Sequence, residues 1–418
     1  MSIAVLLTLA CLANPGPEDL GLFSFELAGG DTFLGEWVRF DQAGVELSGS
    51  SGSKRLGPGE LVLVTAEQAR PGPGDPPGAA VSHDDILLLA AAEGQPGLGD
   101  RLVGRLVGGD DVDLRFRIDG GPEVVVPFEI VDRLLPSVDG PLDRLALLEA
   151  PGFDDRIWRR RSDASLDAVA GVVAMVSADS VMLESALGDL QFAWSEVLAM
   201  VLADTQHPGR RLEGWPVRLA LRGGSIFEAG LLSVTSNAIV VDTQFAERMQ
   251  LAPSELASMV LSDRMDLPPL LISNLSPSSV DEWPSLGHDE DTLFPWQRDL
   301  SVAGEQLRLD GLPRVTGLGV HANSRLTFEV PPEARRLRIE VGLSDDVNSI
   351  PAQGSVSFEI LLDGRSVASV ERFDEGDEVI VLRVDGLSGG GTLELLVGDA
   401  GDHDAGDRAL WIDGLFSR

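Results

Sequence analysis

The residues best suited to touch a ligand lie in a glycine-rich run, Gly317-Leu-Gly-Val-His321-Ala-Asn323-Ser324. The run leads into the alternating segment Arg325-Leu-Thr-Phe-Glu-Val330, which places its polar groups at the rim of a sheet, at the start of a half-buried strand. A neutral imidazole donates and accepts at once, so His321 is either a sugar contact or a scaffold histidine bonded to a backbone carbonyl. Asp345 and Asp346 follow a strand end and precede Asn348; they can bond paired sugar hydroxyls or hold a turn. Nearer the C-terminus, Asp399, Asp402, Asp404 and Asp407 put four carboxylates within nine residues, with glycines between them. Such a loop suits Ca²⁺ better than a transition metal, although its spacing is not that of an EF-hand and ion-free acidic loops are common. Trp411, in Leu410-Trp-Ile-Asp-Gly, is either a sugar platform or the plug of an apolar core.

Signatures of catalysis are absent. The sequence holds no His-Glu-x-x-His pair, no Gly-x-Ser-x-Gly turn, no phosphate loop of the Gly-x-x-x-x-Gly-Lys-Ser/Thr type and no strand-coupled Gly-x-Gly-x-x-Gly. With five histidines and one cysteine, acid–base chemistry would fall to carboxylates, and 67 acidic residues single out no pair. The sequence is read as that of a non-enzyme.

The elements that position these residues follow from composition and repeats. The chain of 418 residues has room for several domains, and 44% hydrophobic residues argue for folded ones. Its net charge of −35 repels phosphate backbones, which excludes nucleic acid as a partner. The apolar run in residues 1–19 has the length of a signal-peptide core and is too short to span a bilayer, although no basic residue precedes it. It predicts an exported protein, periplasmic, cell-surface or secreted; membrane attachment is expected only if Cys11, the one cysteine, is lipidated.

Four segments share a template: Asp31-Thr-Phe-Leu-Gly35, Asp100-Arg-Leu-Val-Gly104, Asp167-Ala-Val-Ala-Gly171 and, one residue longer, Ser225-Ile-Phe-Glu-Ala-Gly230. Each is followed by a β-patterned pair and then by a glutamate opening an apolar run, at Glu60, Glu129, Glu196 and Glu255. A glycine at that place suits a strongly bent strand in a small barrel. The pattern predicts four barrels, over 20–67, 81–137, 153–205 and 212–265, each resembling an Sm-like five-stranded barrel and packing in pairs. A proline- and glycine-rich linker covers 68–78, a short helix is expected over 141–149, and 266–290 forms the connector to a last domain over 291–418.

That last domain resembles the NPCBM family of carbohydrate-binding modules. Gly317-Leu-Gly-Val-His-Ala-x-Ser, Val341-Gly-Leu-Ser-Asp-Asp346, Val356-x-Phe-x-Ile-x-Leu-Asp-Gly364 and the acidic loop with Trp411 occur in the family's order. The resemblance implies a galactose-binding-like β-sandwich (jelly roll), an all-β chain as a whole, and a carbohydrate ligand at His321, Asn323, Asp345, Asp346 and Trp411, with the acidic loop as a calcium candidate. It departs at Arg408, where the family carries histidine. An envelope assembly scaffold with protein partners, the sandwich being a structural cap, is the alternative; a glycoside-processing enzyme ranks below it.

Overall fold

The computed structural model describes residues 23–27, 31–41, 44–50, 52–57, 60–66, 85–90, 99–136, 153–161, 165–203, 209–264, 266–283, 294–346 and 354–418. The signal-like segment with Cys11, the 68–78 linker, the 141–149 helix expectation, Asn348 and most of the connector after residue 283 lie outside these residues. Among the described residues, all regular structure longer than single 3₁₀ turns is β.

The first twenty strands form four units of five. They are β1 (Phe23–Leu27), β2 (Thr32–Asp41), β3 (Gly44–Gly49), β4 (Gly52–Leu56) and β5 (Leu61–Ala66); then β6 (Asp85–Leu89), β7 (Arg101–Gly109), β8 (Asp113–Ile118), β9 (Glu123–Pro127) and β10 (Val131–Leu135). The third unit holds β11 (Asp155–Arg160), β12 (Leu166–Val176), β13 (Ser180–Ser185), β14 (Gly188–Ala193) and β15 (Val197–Val201). The fourth holds β16 (Trp215–Leu221), β17 (Ile226–Val234), β18 (Ile239–Asp242), β19 (Met249–Leu251) and β20 (Leu256–Leu261). In every unit the first four strands pair in succession and the fifth returns to pair with the first.

The sequence template has a steric cause. A Cβ added at Gly35, Gly104, Gly171 or Gly230 would overlap a backbone carbonyl oxygen, that of Ser48, Arg117, Glu184 or Glu213. The chain bends so closely at this point that only glycine fits. The repeated glutamate also has a place: Glu129, Glu196 and Glu255 lie in the 3₁₀ turn that hands the chain to the fifth strand.

Units join through their last strands. β5 pairs antiparallel with β20, and β10 with β15, so the first unit joins the fourth and the second joins the third. The second and fourth also touch, where Val103 N donates to Ser225 Oγ at 2.9 Å and Glu228 N donates to Asp100 at 2.8 Å.

The C-terminal part is a two-sheet sandwich. Its strands are β21 (Leu270–Leu271), β22 (Ser279–Glu282), β23 (Gln297–Arg298), the small hairpin β24 (Arg308–Leu309) and β25 (Leu312–Pro313), β26 (Gly317–His321), β27 (Ser324–Glu329), β28 (Arg336–Leu343), β29 (Ser355–Leu362), β30 (Arg365–Asp374), β31 (Ile380–Asp385), β32 (Thr392–Gly398) and β33 (Arg408–Ser417). One sheet runs β23-β26-β33-β28-β31, with β21 added to β33; the other runs β22-β27-β32-β29-β30. Alternating side chains such as Leu326 and Phe328 meet Val320, Val341 and Trp411 between the sheets.

The sandwich is docked on the repeats rather than strung behind them. Leu271, Val315 and Leu415 pack against Leu63, Ala220, Ile226, Ala257 and Val260 of the first and fourth units. Charge crosses the same junction. Glu26 of β1 accepts from Arg338 and Arg383, each at 2.7 Å, and Arg338 also meets Glu340 at 2.5 Å. Arg218 faces Asp299 at 3.6 Å and Arg418 binds Asp263 at 2.7 Å. Although burial opposes it, Arg314 and then Arg338 hold the Glu340 carboxyl below its usual range. Burial, reinforced by Glu340, pushes Asp413 up to about 7.

Candidate functional site

The glycine run forms the strand β26, which pairs with β33 in a register that sets His321 opposite Arg408 and Leu318 opposite Trp411. Alternation then separates the fates of these residues. Trp411 points into the core, is 0% exposed, and meets the Phe358 ring edge-on at 5.1 Å between centroids. The platform reading of Trp411 is corrected: two sheets enclose the indole and no sugar reaches its face.

At the strand end the arrangement opens. His321 is half-buried and stacks on Phe294, with centroids 5.3 Å apart and planes at 15°. The Arg408 guanidinium also lies over Phe294, 5.4 Å from the ring centroid, and its Nη1 is 3.5 Å from Asp346. Asp346 accepts a hydrogen bond from Ser301 Oγ at 2.8 Å. His321 Nδ1 lies 2.6 Å from the Ala322 carbonyl oxygen. An oxygen that can only accept requires Nδ1 to carry the hydrogen, which leaves Nε2 as the acceptor. Burial lowers the imidazole pKa, and Arg408 adds to that against the opposing Ala322 bond and Asp404, so the ring is neutral at pH 7.

Asn323 extends the rim. Its Oδ1 accepts from Asp399 N at 3.1 Å, which ties the glycine run to the acidic loop, and its backbone carbonyl accepts from Trp283 N at 3.0 Å. Trp283 follows β22, which pairs with β27, and it is 47% exposed. Its ring is open to solvent, as that of Trp411 is not. The local signal was present, since Trp283 ends a polar run, Ser279-Val-Asp-Glu282, where nothing apolar asks for a core plug.

The structure therefore brings together His321, Asn323 and, through Arg408, Asp346. Asp345 turns elsewhere: it accepts from Gly311 N at 2.8 Å, beside the β24–β25 hairpin, and burial raises its pKa. Sequence reasoning missed Phe294, and it treated Arg408 as a departure when Arg408 is a member of the cluster.

In the acidic loop, Asp402 takes Ser355 Oγ at 2.8 Å and Arg372 at 3.0 Å, and Asp399 accepts from Gly401 N at 3.0 Å. Asp407 is buried; one oxygen accepts from Ser355 N at 2.9 Å and the other, Oδ2, has no hydrogen-bond partner. Burial, with Asp402, Asp404 and Asp399 adding to it, pushes Asp407 up to about 7. Among the described residues no three His, Cys, Asp or Glu side chains gather as a metal-holding group, so the four carboxylates do not form a ready calcium cage. Asp407 alone fits a cation, through its unpartnered buried oxygen.

With this geometry in place, comparison with known proteins shows what the sandwich is similar to. Residues 277–417 match the NPCBM/NEW2 domain. No curated protein matches the chain. Among solved structures, a CBM51 from Clostridium perfringens GH95 in complex with methyl-galactose is similar at 23% identity, covering 35% of this chain and 99% of that one, with a TM-score of 0.30. The CBM51-2 and INT domains of Clostridium perfringens ZmpB are similar at 21% identity over 35% of this chain and 30% of that one, with a TM-score of 0.30. The tandem CBM51 modules of a Streptococcus pneumoniae family 98 glycoside hydrolase are similar at 13% identity over 62% of this chain and 87% of that one, with a TM-score of 0.31.

Proposed function

We propose that the protein binds carbohydrate, without catalysis, at the rim of its NPCBM domain. The observation that carries this reading is the stack of His321, Phe294 and Arg408, on a run whose Asn323 carbonyl is bonded by the backbone N of the exposed Trp283. A sugar ring needs an apolar face to lie on and fixed donors and acceptors around its hydroxyls. Trp283 supplies the face, His321 Nε2 the acceptor, Arg408 the donor, and Asp346 steadies Arg408. The acidic loop joins the proposal through Asp407 alone, whose unpartnered buried oxygen a cation would satisfy, steadying the loop that Asn323 holds through Asp399 N.

The four five-stranded units are read as Sm-like barrels that carry the sandwich, and the protein as an exported one in which the sandwich faces the glycan. The test is a glycan-array screen of the full chain, with calcium and with chelator. The full chain is required because Glu26 and the apolar junction tie the sandwich to the repeats. Saturable binding to a defined glycan supports the reading; no binding in either condition transfers the function to the repeats.

A further inference from the structure

The third unit carries an apolar strip that no other part of the described chain covers. On β12, Leu166, Ala168, Ala170 and Val172 recur at period two and all face solvent, with Leu166 44% and Val172 60% exposed. On β11, Arg160, Trp158 and Arg156 lie beside Leu166, Ala168 and Ala170 in register. Trp158 in turn packs against the buried cluster of Leu88, Val103, Ala199, Val201 and Leu300, so the strip continues an interface already closed within the chain.

The sister strand shows what closure looks like. In β7 the residue before the template glycine, Val103, is only 9% exposed, because the fourth unit covers it through Ser225 and through the bridge from Ile226 to Arg101. Its counterpart in β12, Ala170, stays open. The strip also has a sense of direction. Arg160 lies beside Leu166 at one end, and Glu184 lies beside Val172 at the other, both exposed. The two central residues, Ala168 and Ala170, are small enough for a second sheet to approach.

We infer that this strip is the contact between two copies of the chain, packed face to face about a two-fold axis near Ala168 and Ala170. Reversal of one strip on the other brings the Arg160 end of one copy to the Glu184 end of its partner, which makes the surface self-complementary, as an isologous contact requires. Burial of Leu166 and Val172 on both sides supplies the apolar core of the contact.

The test is sedimentation velocity of the full chain over a concentration series. A dimer is expected, with Ala168→Glu weakening it by about two orders of magnitude, since a carboxylate would be buried without a partner. Thermal unfolding guards against a folding defect, and none is expected at an exposed position. Arg160→Glu should weaken the dimer, and Arg160→Glu with Glu184→Arg should restore it. In a Cys11→Ser background, Ala168→Cys with Ala170→Cys should oxidise to a covalent dimer, since the axis sets each Ala168 opposite the partner's Ala170. A chain that stays monomeric at all concentrations overturns the inference, as does a dimer indifferent to Ala168→Glu. A monomeric Ala168→Cys variant whose introduced thiol resists labelling also overturns it, because the chain itself would then cover the strip.

Discussion

Two regions of the sandwich use the same chemistry to opposite ends. At the junction with the repeats, Glu26, Arg338, Glu340 and Arg314 form a run of ion pairs largely removed from water, with Arg383 joining Glu26 from its more exposed edge. At the rim, Arg408 lies on an aromatic plane near Asp346, and a neutral imidazole keeps an acceptor in hand. The junction binds the molecule to itself, while the rim holds its polar groups in place without consuming them. Arginine and carboxylate therefore do not announce function by their presence; an acceptor left open beside them, as at His321, distinguishes the rim.

The largest effect should come from breaking the junction. Glu26→Ala leaves Arg338 and Arg383 without their shared carboxylate and should cost about 3–5 kcal/mol of stability. Chemical denaturation reads it, and undocking of the sandwich ahead of the repeats would appear as a second transition. Close to it stands Trp411→Ala, at about 3–5 kcal/mol for a cavity in the core. If Trp411 were a platform, the variant would instead lose binding and keep its stability.

A middle-sized effect is expected from pH. Asp100, Asp407 and Asp413 all have pKa values raised to about 7 in the fold. From their ordinary value of 3.8 up to about 7, the folded chain holds protons that the unfolded chain has released, so their contribution to stability falls as pH rises and levels off above that window. Asp402, held low by Ser355 and Arg372, acts in the other sense, losing its contribution as pH falls through its depressed pKa. Melting temperatures of Asp100→Asn and Asp413→Asn should show a flatter decline between about pH 4 and 7 than the parent chain. An unchanged slope would show that these carboxyls are not protonated in the fold.

The smallest effect on stability, and the sharpest on binding, belongs to the rim. Glycan affinity should hold near neutral pH and fall only below the usual imidazole range, once His321 gains a proton and Nε2 ceases to accept. A chain with His321→Gln, which retains an acceptor, should lose that pH dependence.

Much of this comparison was legible in the sequence. The four templates marked the four units because one steric demand, a glycine under a crossing carbonyl, recurs in each. The order of motifs marked the sandwich, and the resemblance to NPCBM agrees with the match over residues 277–417. The reading that Trp411 touches sugar failed because alternation tells which residues share a face and not which face is covered; pairing with Leu318 settles it. Asp345 and Asp346 were adjacent in sequence and so were read as one pair, yet a turn sends them to Gly311 and to Ser301. Phe294 and the Glu26 junction were hidden for another reason. Each depends on contacts across long stretches of chain, with Glu26 lying 312 residues from Arg338, and no local pattern encodes them.

The central claim is that the rim binds the ligand while the core beneath it only supports it. The most direct measurement is calorimetric titration of the full chain with the glycan selected by the array, comparing the parent with Trp283→Ala and Arg408→Ala. A loss of at least about tenfold in affinity, roughly 1.4 kcal/mol, in each variant with an unchanged melting temperature is the expected result. Undiminished affinity in both folded variants would contradict the account and place the ligand elsewhere on the molecule.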